Sequence, residues 1–128
     1  MKVKVVFFRE NLTDAIGAGI YEISVDKSGK SKVLYIGESV FVLVRCAAHL
    51  YELKKNPNYF GFTKETINDS SITLKFRLIE ENSDKTSRKE NEKSLINERK
   101  PLSQSGISDR QKNVESKIEA LTQFLINN

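Results

Sequence analysis

The sequence predicts an α+β fold, a two-layer sandwich of one sheet and its helices. Three observations predict it. Residues 19–25 and 72–80 alternate apolar and polar, the two-residue period of a half-buried strand. Residues 40–55 and 109–126 repeat their apolar positions at three- and four-residue steps, the period of a helix. The order β, β-hairpin, α, β, α, α puts antiparallel pairing and helices in one layered unit. The 128 residues suit a single domain over 1–128, with its motif core at 19–104 and a C-terminal helix at 109–126. A chain of this length buries about 65–70% of its unfolded surface, enough for a core without disulfides or a structural metal.

The elements follow in order. Residues 2–8 read as an extra N-terminal strand. Residues 9–18 are a connection with room for one helical turn. Residues 19–25 (GIYEISV) form a strand, Lys27 to Ser31 a hairpin turn in which Gly29 takes positive φ, and residues 32–37 (KVLYIG) the returning strand. Ser39 is placed to cap the first helix, whose stripe is Phe41, Val44, Ala48, Tyr51 and Leu53. Asn56-Pro57-Asn58 stops it. Residues 58–70 are a polar and aromatic loop with a helical turn around Lys64–Asn68. In residues 72–80, Ile72, Leu74, Phe76 and Leu78 face one way and Thr73, Lys75 and Arg77 the other. Residues 84–99 are a charged helix ended by Lys100-Pro101. Val114, Ile118, Leu121 and Leu125 line one stripe of the last helix.

Composition excludes several classes. Charged residues are 30% and the longest apolar run is Val40 to Val44, so no segment spans a bilayer. Met1 to Phe8 lacks a signal-peptide core and runs straight into Arg9 and Glu10, so a cytoplasmic location is expected. Cys46 and His49 are the sole cysteine and histidine, which excludes a Cys/His zinc cage and an internal disulfide. Their three-residue spacing also suits a Cys-His nucleophile poorly, and Cys46 is expected as a small buried residue. A net charge of +4 permits a polyanionic partner without demanding one.

One constellation carries chemistry. Gly19-Ile20-Tyr21 and Tyr35-Ile36-Gly37 stand on the two hairpin strands and bring two phenols close together. Arg45 and His49, four apart, share a face of the helix that follows. Glu92 precedes Leu95-Ile96 by three residues, and Gln104 comes twelve residues after Glu92. Singly, each residue also fits an ordinary strand or helix position; the joint spacing sets them apart.

This pattern resembles the GIY-YIG nuclease family over residues 19 to about 104. The resemblance implies a central antiparallel three-stranded sheet flanked by helices, and a metal-dependent endonuclease that hydrolyses DNA phosphodiesters, branched or damaged DNA included. It implies Tyr21, Tyr35, Arg45, His49 and Glu92 as catalytic residues, Tyr21 as the family's general base, His49 as a residue that orients a tyrosine or the water, and Gln104 where the family usually has Asn.

The residue chemistry is compatible. Arg45 offers a permanently charged fork for phosphate. Glu92 is a hard carboxylate, too sparse for zinc yet adequate for Mg2+ (or Mn2+), which keeps most of its waters. Either Tyr21 or Tyr35 could handle the water. A phenolate at neutral pH costs about 4 kcal/mol, less beside Arg45 and a cation. Lys54, Lys55 and Gln104 are expected to bind DNA, and Lys64, Arg88, Lys89, Lys93, Arg99, Lys100, Arg110 and Lys112 are further candidates for backbone contact. Three features depart from the family: the 13 residues between Tyr21 and Tyr35 make a slightly longer hairpin, Glu38 stands where some relatives carry Lys, and the helix start is apolar all round. Val40, Phe41 and Val44 are therefore expected to be covered by the N-terminal strand, the C-terminal helix, or a second protomer or protein partner. The alternative function is a weak or inactive DNA- or protein-binding module on the same fold.

Overall fold

The computed structural model describes residues 1–104 and 114–127. Four strands, β1 (Lys4–Phe7), β2 (Gly19–Lys27), β3 (Lys30–Ser39) and β4 (Thr73–Glu81), form one sheet in the order β1-β4-β2-β3. β2 is antiparallel to both β3 and β4, which gives the expected antiparallel three-stranded unit. β1 extends it to a mixed sheet by pairing parallel to β4. The helices are α1 (Val42–Lys55), α2 (Lys85–Arg99) and α3 (Val114–Ile126). The expected helix start at residues 109–113 lies outside the described residues, as do Arg110 and Lys112. No helix among the described residues is long and apolar enough to cross a membrane.

The β2–β3 hairpin closes through Ser28 (φ 54°) and Gly29 (φ 78°), both left-handed, the geometry that matches the twist of the paired strands. Tyr21 pairs with Gly37 and Glu22 with Ile36 across it. Successive strand residues point to opposite faces, so the sheet sorts its partners. One face carries Tyr21, Ile23, Leu34, Leu74 and Phe76, which pack with α1, with Phe60 and Phe62 of the following loop, and with Leu121 and Leu125 of α3. The other face carries Ile20, Glu22 and Glu38, and meets α2 through Arg99–Glu22 and Arg88–Glu38 pairs. The helices thus cover both faces, where the element order alone suggests two layers.

Two local expectations change. Ser39 does not cap α1. Its hydroxyl accepts from the Phe41 N–H at 3.0 Å, and the helix begins only at Val42, whose N–H donates to the Gly17 carbonyl at 3.0 Å. The stripe of α1 is also rotated. The buried positions are Val42, Cys46, His49 and Leu53. Phe41 (45% exposed), Val44 (58%) and Tyr51 (62%) face outward. Val40, at 73% exposed, joins them, so neither the N-terminal strand nor the described part of the last helix covers this face.

The outer edge of β3 is shielded by the chain after α2. The Leu102 and Ser103 N–H groups donate to the Val33 and Leu34 carbonyls at 3.0 and 2.8 Å. The Gln104 amide then accepts from Ile36 N–H and donates to Ile36 C=O, each at 2.8 Å. This strap satisfies an edge that would otherwise present open backbone groups. α2 starts at the Asp84 cap, whose carboxylate accepts from the Ser87 N–H at 2.9 Å, and ends at Lys100, left-handed with φ 47° immediately before Pro101.

Candidate active site

The site grows from one close approach. Tyr21 on β2 is fully buried, and its ring lies against Gly37 on β3. A Cβ at Gly37 would overlap Oη and Cζ of Tyr21 and sit 2.8 Å from Cε2 of Tyr35, so only glycine admits the phenol here. Gly19 is needed for a similar reason, because a Cβ there would overlap the Glu80 carbonyl oxygen. Tyr35, half-buried, has its ring centroid 6.1 Å from that of Tyr21.

α1 delivers the imidazole. His49 is 4% exposed and stands edge-on to Tyr35 at 5.1 Å between centroids. Its Nε2 lies 2.7 Å from the Tyr21 hydroxyl and its Nδ1 2.8 Å from the Tyr59 hydroxyl. Tyr59 ends the short 3-10 turn Pro57–Tyr59, set by Pro57 at its start and by the Asn56 side chain accepting from the Asn58 N–H at 3.1 Å. Sequence reasoning did not single out Tyr59; the one available signal was an aromatic two residues past the Asn-Pro that stops α1.

Burial pushes the Tyr21 phenol far above its ordinary pKa, reinforced by Tyr35 and Cys46, while Arg45 acts the other way. Tyr21 therefore keeps its proton in the free protein. Burial likewise raises the Cys46 thiol, with Arg45 opposing, and this cysteine is fully buried, as expected. Arg45 is exposed and enters no ion pair among the described residues.

Glu92 stands on α2, half-buried beside Glu38, the residue after Gly37. Burial and the Glu38 charge raise its pKa, against smaller opposing pulls from Lys89, the Glu38 backbone amide and Arg88. Glu38 itself is held by Arg88, whose Nε donates to it at 2.6 Å, and by Lys89 at 3.5 Å. Glu92 enters no ion pair among the described residues, and Lys89 and Arg88 act on its carboxylate only at longer range. No group of three or more His, Cys, Asp or Glu side chains converges among those residues, so any cation at Glu92 would have this carboxylate with at most one other such side chain.

The fold brings Tyr21, Tyr35 and His49 together and sets Arg45 close enough to act on the Tyr21 phenol, whereas Glu92 stands beside Glu38 on α2, which packs on the opposite face of the sheet. Lys54 and Lys55 are exposed at the end of α1, Lys55 lying 5.1 Å from the Tyr51 ring centroid. Gln104 is not free to meet DNA, since both ends of its amide bind Ile36. Arg88, 2% exposed, is not a backbone contact either, and Arg99 is held by Glu22. A groove of about 480 Å3 lies away from the tyrosines, over β1 and β4, lined by Val6, Phe8, Arg9, Lys75 and Arg77. Comparison with family models, curated proteins and solved structures yields no match to the chain.

Proposed function

We propose that the chain is a divalent-metal-dependent endonuclease acting on DNA phosphodiesters. The observation that carries this reading is the meeting of Tyr21, Tyr35 and His49, drawn from β2, β3 and α1, around a glycine that alone permits it. A core needs no such cluster. A reaction that moves a proton off water does.

The attacking water loses its proton to Tyr21 Oη as the Tyr21 proton passes to His49 Nε2. Tyr21 Oη gains one hydrogen as it gives up another, the water oxygen bonds phosphorus as the bond from phosphorus to the leaving oxygen breaks, and His49 ends protonated, so no buried phenolate is stored, consistent with the high pKa of Tyr21. Tyr35, nearer the solvent, orders the water. Arg45 binds the non-bridging phosphate oxygens with its planar fork. Glu92 would hold Mg2+ or Mn2+, which when bound supplies positive charge for the phosphoryl group and leaving oxygen. Lys54 and Lys55 add sequence-independent attraction for the DNA backbone.

The deciding experiment is nicking of supercoiled plasmid and of branched DNA with Mg2+. Cutting that disappears in Glu92→Ala and in Arg45→Ala, with both variants folded, supports the proposal. Unchanged cutting by Glu92→Ala removes the metal assignment. A second reading, a DNA- or protein-binding module, is favoured by one observation: Tyr21 is only 1% exposed, which leaves a reacting water little access without movement. Binding with no cutting in any divalent metal selects that reading, and Val40, Phe41 and Val44 are then its first surface to test for a protein partner or a second copy.

A further inference from the structure

We infer that Tyr59 is a positioning residue that fixes the tautomer of His49, holding Nδ1 protonated so that Nε2 stays the acceptor for Tyr21. As a statement about the reaction, this rests on the nuclease reading above. As a statement about the imidazole, it stands on geometry alone.

A neutral imidazole has one N–H and one lone-pair nitrogen. His49 sits between two hydroxyls, Tyr21 at 2.7 Å from Nε2 and Tyr59 at 2.8 Å from Nδ1. Two arrangements satisfy both contacts. In the first, Tyr21 donates to Nε2 and Nδ1–H donates to Tyr59. In the second, Tyr59 donates to Nδ1 and Nε2–H donates to Tyr21.

The surroundings separate them. Tyr21 is 1% exposed, and His49 is the hydrogen-bond partner of its hydroxyl. In the second arrangement the Tyr21 hydrogen would be buried with no acceptor, a penalty of about 1–3 kcal/mol. Tyr59 is half-buried and has contacts besides His49, so its own hydrogen does not depend on the imidazole. The first arrangement gives the buried Tyr21 hydrogen its acceptor. It is also the one in which His49 can receive the Tyr21 proton. Removing the Tyr59 oxygen leaves Nδ1–H without its acceptor, and the balance moves toward the other tautomer or a rotated ring.

The chain holds one histidine, so its nitrogen signals need no assignment. Long-range 1H–15N correlation spectra of the labelled, unaltered protein should show Nδ1 protonated and Nε2 bare. Tyr59→Phe should populate the Nε2–H form or broaden both signals. In plasmid nicking with Mg2+, Tyr59→Phe should lose about tenfold in kcat with KM unchanged, a fraction of what general acid–base catalysis supplies. A protonated Nε2 in the unaltered protein, or an unchanged spectrum in Tyr59→Phe, overturns the inference. The spectrum of the unaltered chain decides the tautomer even if Tyr59→Phe fails to fold. If that chain does not cut DNA, the nuclease reading fails, and the spectra still judge the tautomer on their own.

Discussion

Replacing Gly37 by alanine inserts a methyl group where the Tyr21 hydroxyl lies. The new Cβ would overlap both Oη and Cζ of Tyr21 and stand 2.8 Å from Tyr35. The backbone at Gly37 is not left-handed, so the effect is steric alone. The Tyr21 ring is fully buried and packed within the core. Overpacking of this kind costs about 1–3 kcal/mol. Displacing the hydroxyl from His49 adds about 1 kcal/mol for a buried hydrogen bond. Gly37→Ala should therefore destabilise the fold by about 2–4 kcal/mol, a midpoint shift of about 1–2 M urea for a domain of this size. Because Cζ is overlapped as well as Oη, Tyr21→Phe should not rescue Gly37→Ala, whereas Tyr21→Leu should recover part of the loss. A Gly37→Ala variant that unfolds at the parental midpoint would refute the packing of Tyr21 against Gly37, and with it the construction of the site.

Three further outcomes follow from the same contacts. Glu38→Gln should cost about 3 kcal/mol, because it strands the buried Arg88 guanidinium. Burial raises the Glu38 carboxyl, but the Arg88 hydrogen bond and charge, with Lys89, outweigh it and lower its pKa. Its stabilisation is thus full above the ordinary carboxylate range and vanishes as pH falls through the lowered value, so urea midpoints of Glu38→Gln and parent should converge in acid. Glu92 has the opposite sign: its raised pKa favours the protonated form, a contribution present below the ordinary carboxylate value and lost as pH rises through the folded one. At neutral pH Glu92→Gln should melt no lower than the parent without metal, and millimolar Mg2+ should raise the melting temperature of the parent alone; a Mg2+ shift retained by the variant would remove the cation from Glu92. On α1, Leu53→Ala should cost about 2–4 kcal/mol and Tyr51→Ser under about 0.5 kcal/mol, measured by urea unfolding, although the apolar pattern puts both on one stripe.

Much of this was legible in the sequence because it is local. Alternation at 19–25 and 72–80 and the turn at Ser28-Gly29 fix strand pairing, and pairing sets Tyr21 opposite Gly37. The face of α1 was not legible. The expected stripe, Phe41-Val44-Ala48-Tyr51-Leu53, competes there with a second, Val42-Cys46-His49-Leu53, and the two share only Leu53. The second is buried because both nitrogens of His49 find phenols, a compensation that hydropathy cannot register. Tyr59 was missed for the same reason, since its role depends on a ring that another element delivers. Arg88 reads as one more cation on a charged helix, and only Glu38, fifty residues away in the chain, explains its burial. Gln104 keeps the amide that the family pattern suggests, but the strap on β3 consumes it.

The alternation that sorts the sheet also constrains where a substrate can lie. Tyr21 faces α1, and Glu92 belongs to α2 on the opposite side, so a strand separates the phenol from the carboxylate. They can act on one phosphate only around the edge of β3. Among the described residues the strap bonds that edge up to Ile36, and no strap bond reaches Gly37 to Ser39. On the nuclease reading, the DNA backbone crosses there, and Val40, 73% exposed, forms the lip of the crossing. Val40→Asp puts one negative charge beside the phosphates without touching the core. One such exposed charge is worth about 1 kcal/mol, or about fivefold in KM for DNA. Ile126→Asp, equally exposed at the end of α3, serves as the control. A fivefold rise confined to Val40→Asp, with both urea midpoints unchanged and the effect shrinking in higher salt, places the crossing at the β3 end. Equal effects of the two substitutions would mean that the phosphates pass elsewhere, and that Tyr21 and Glu92 do not serve the same bond.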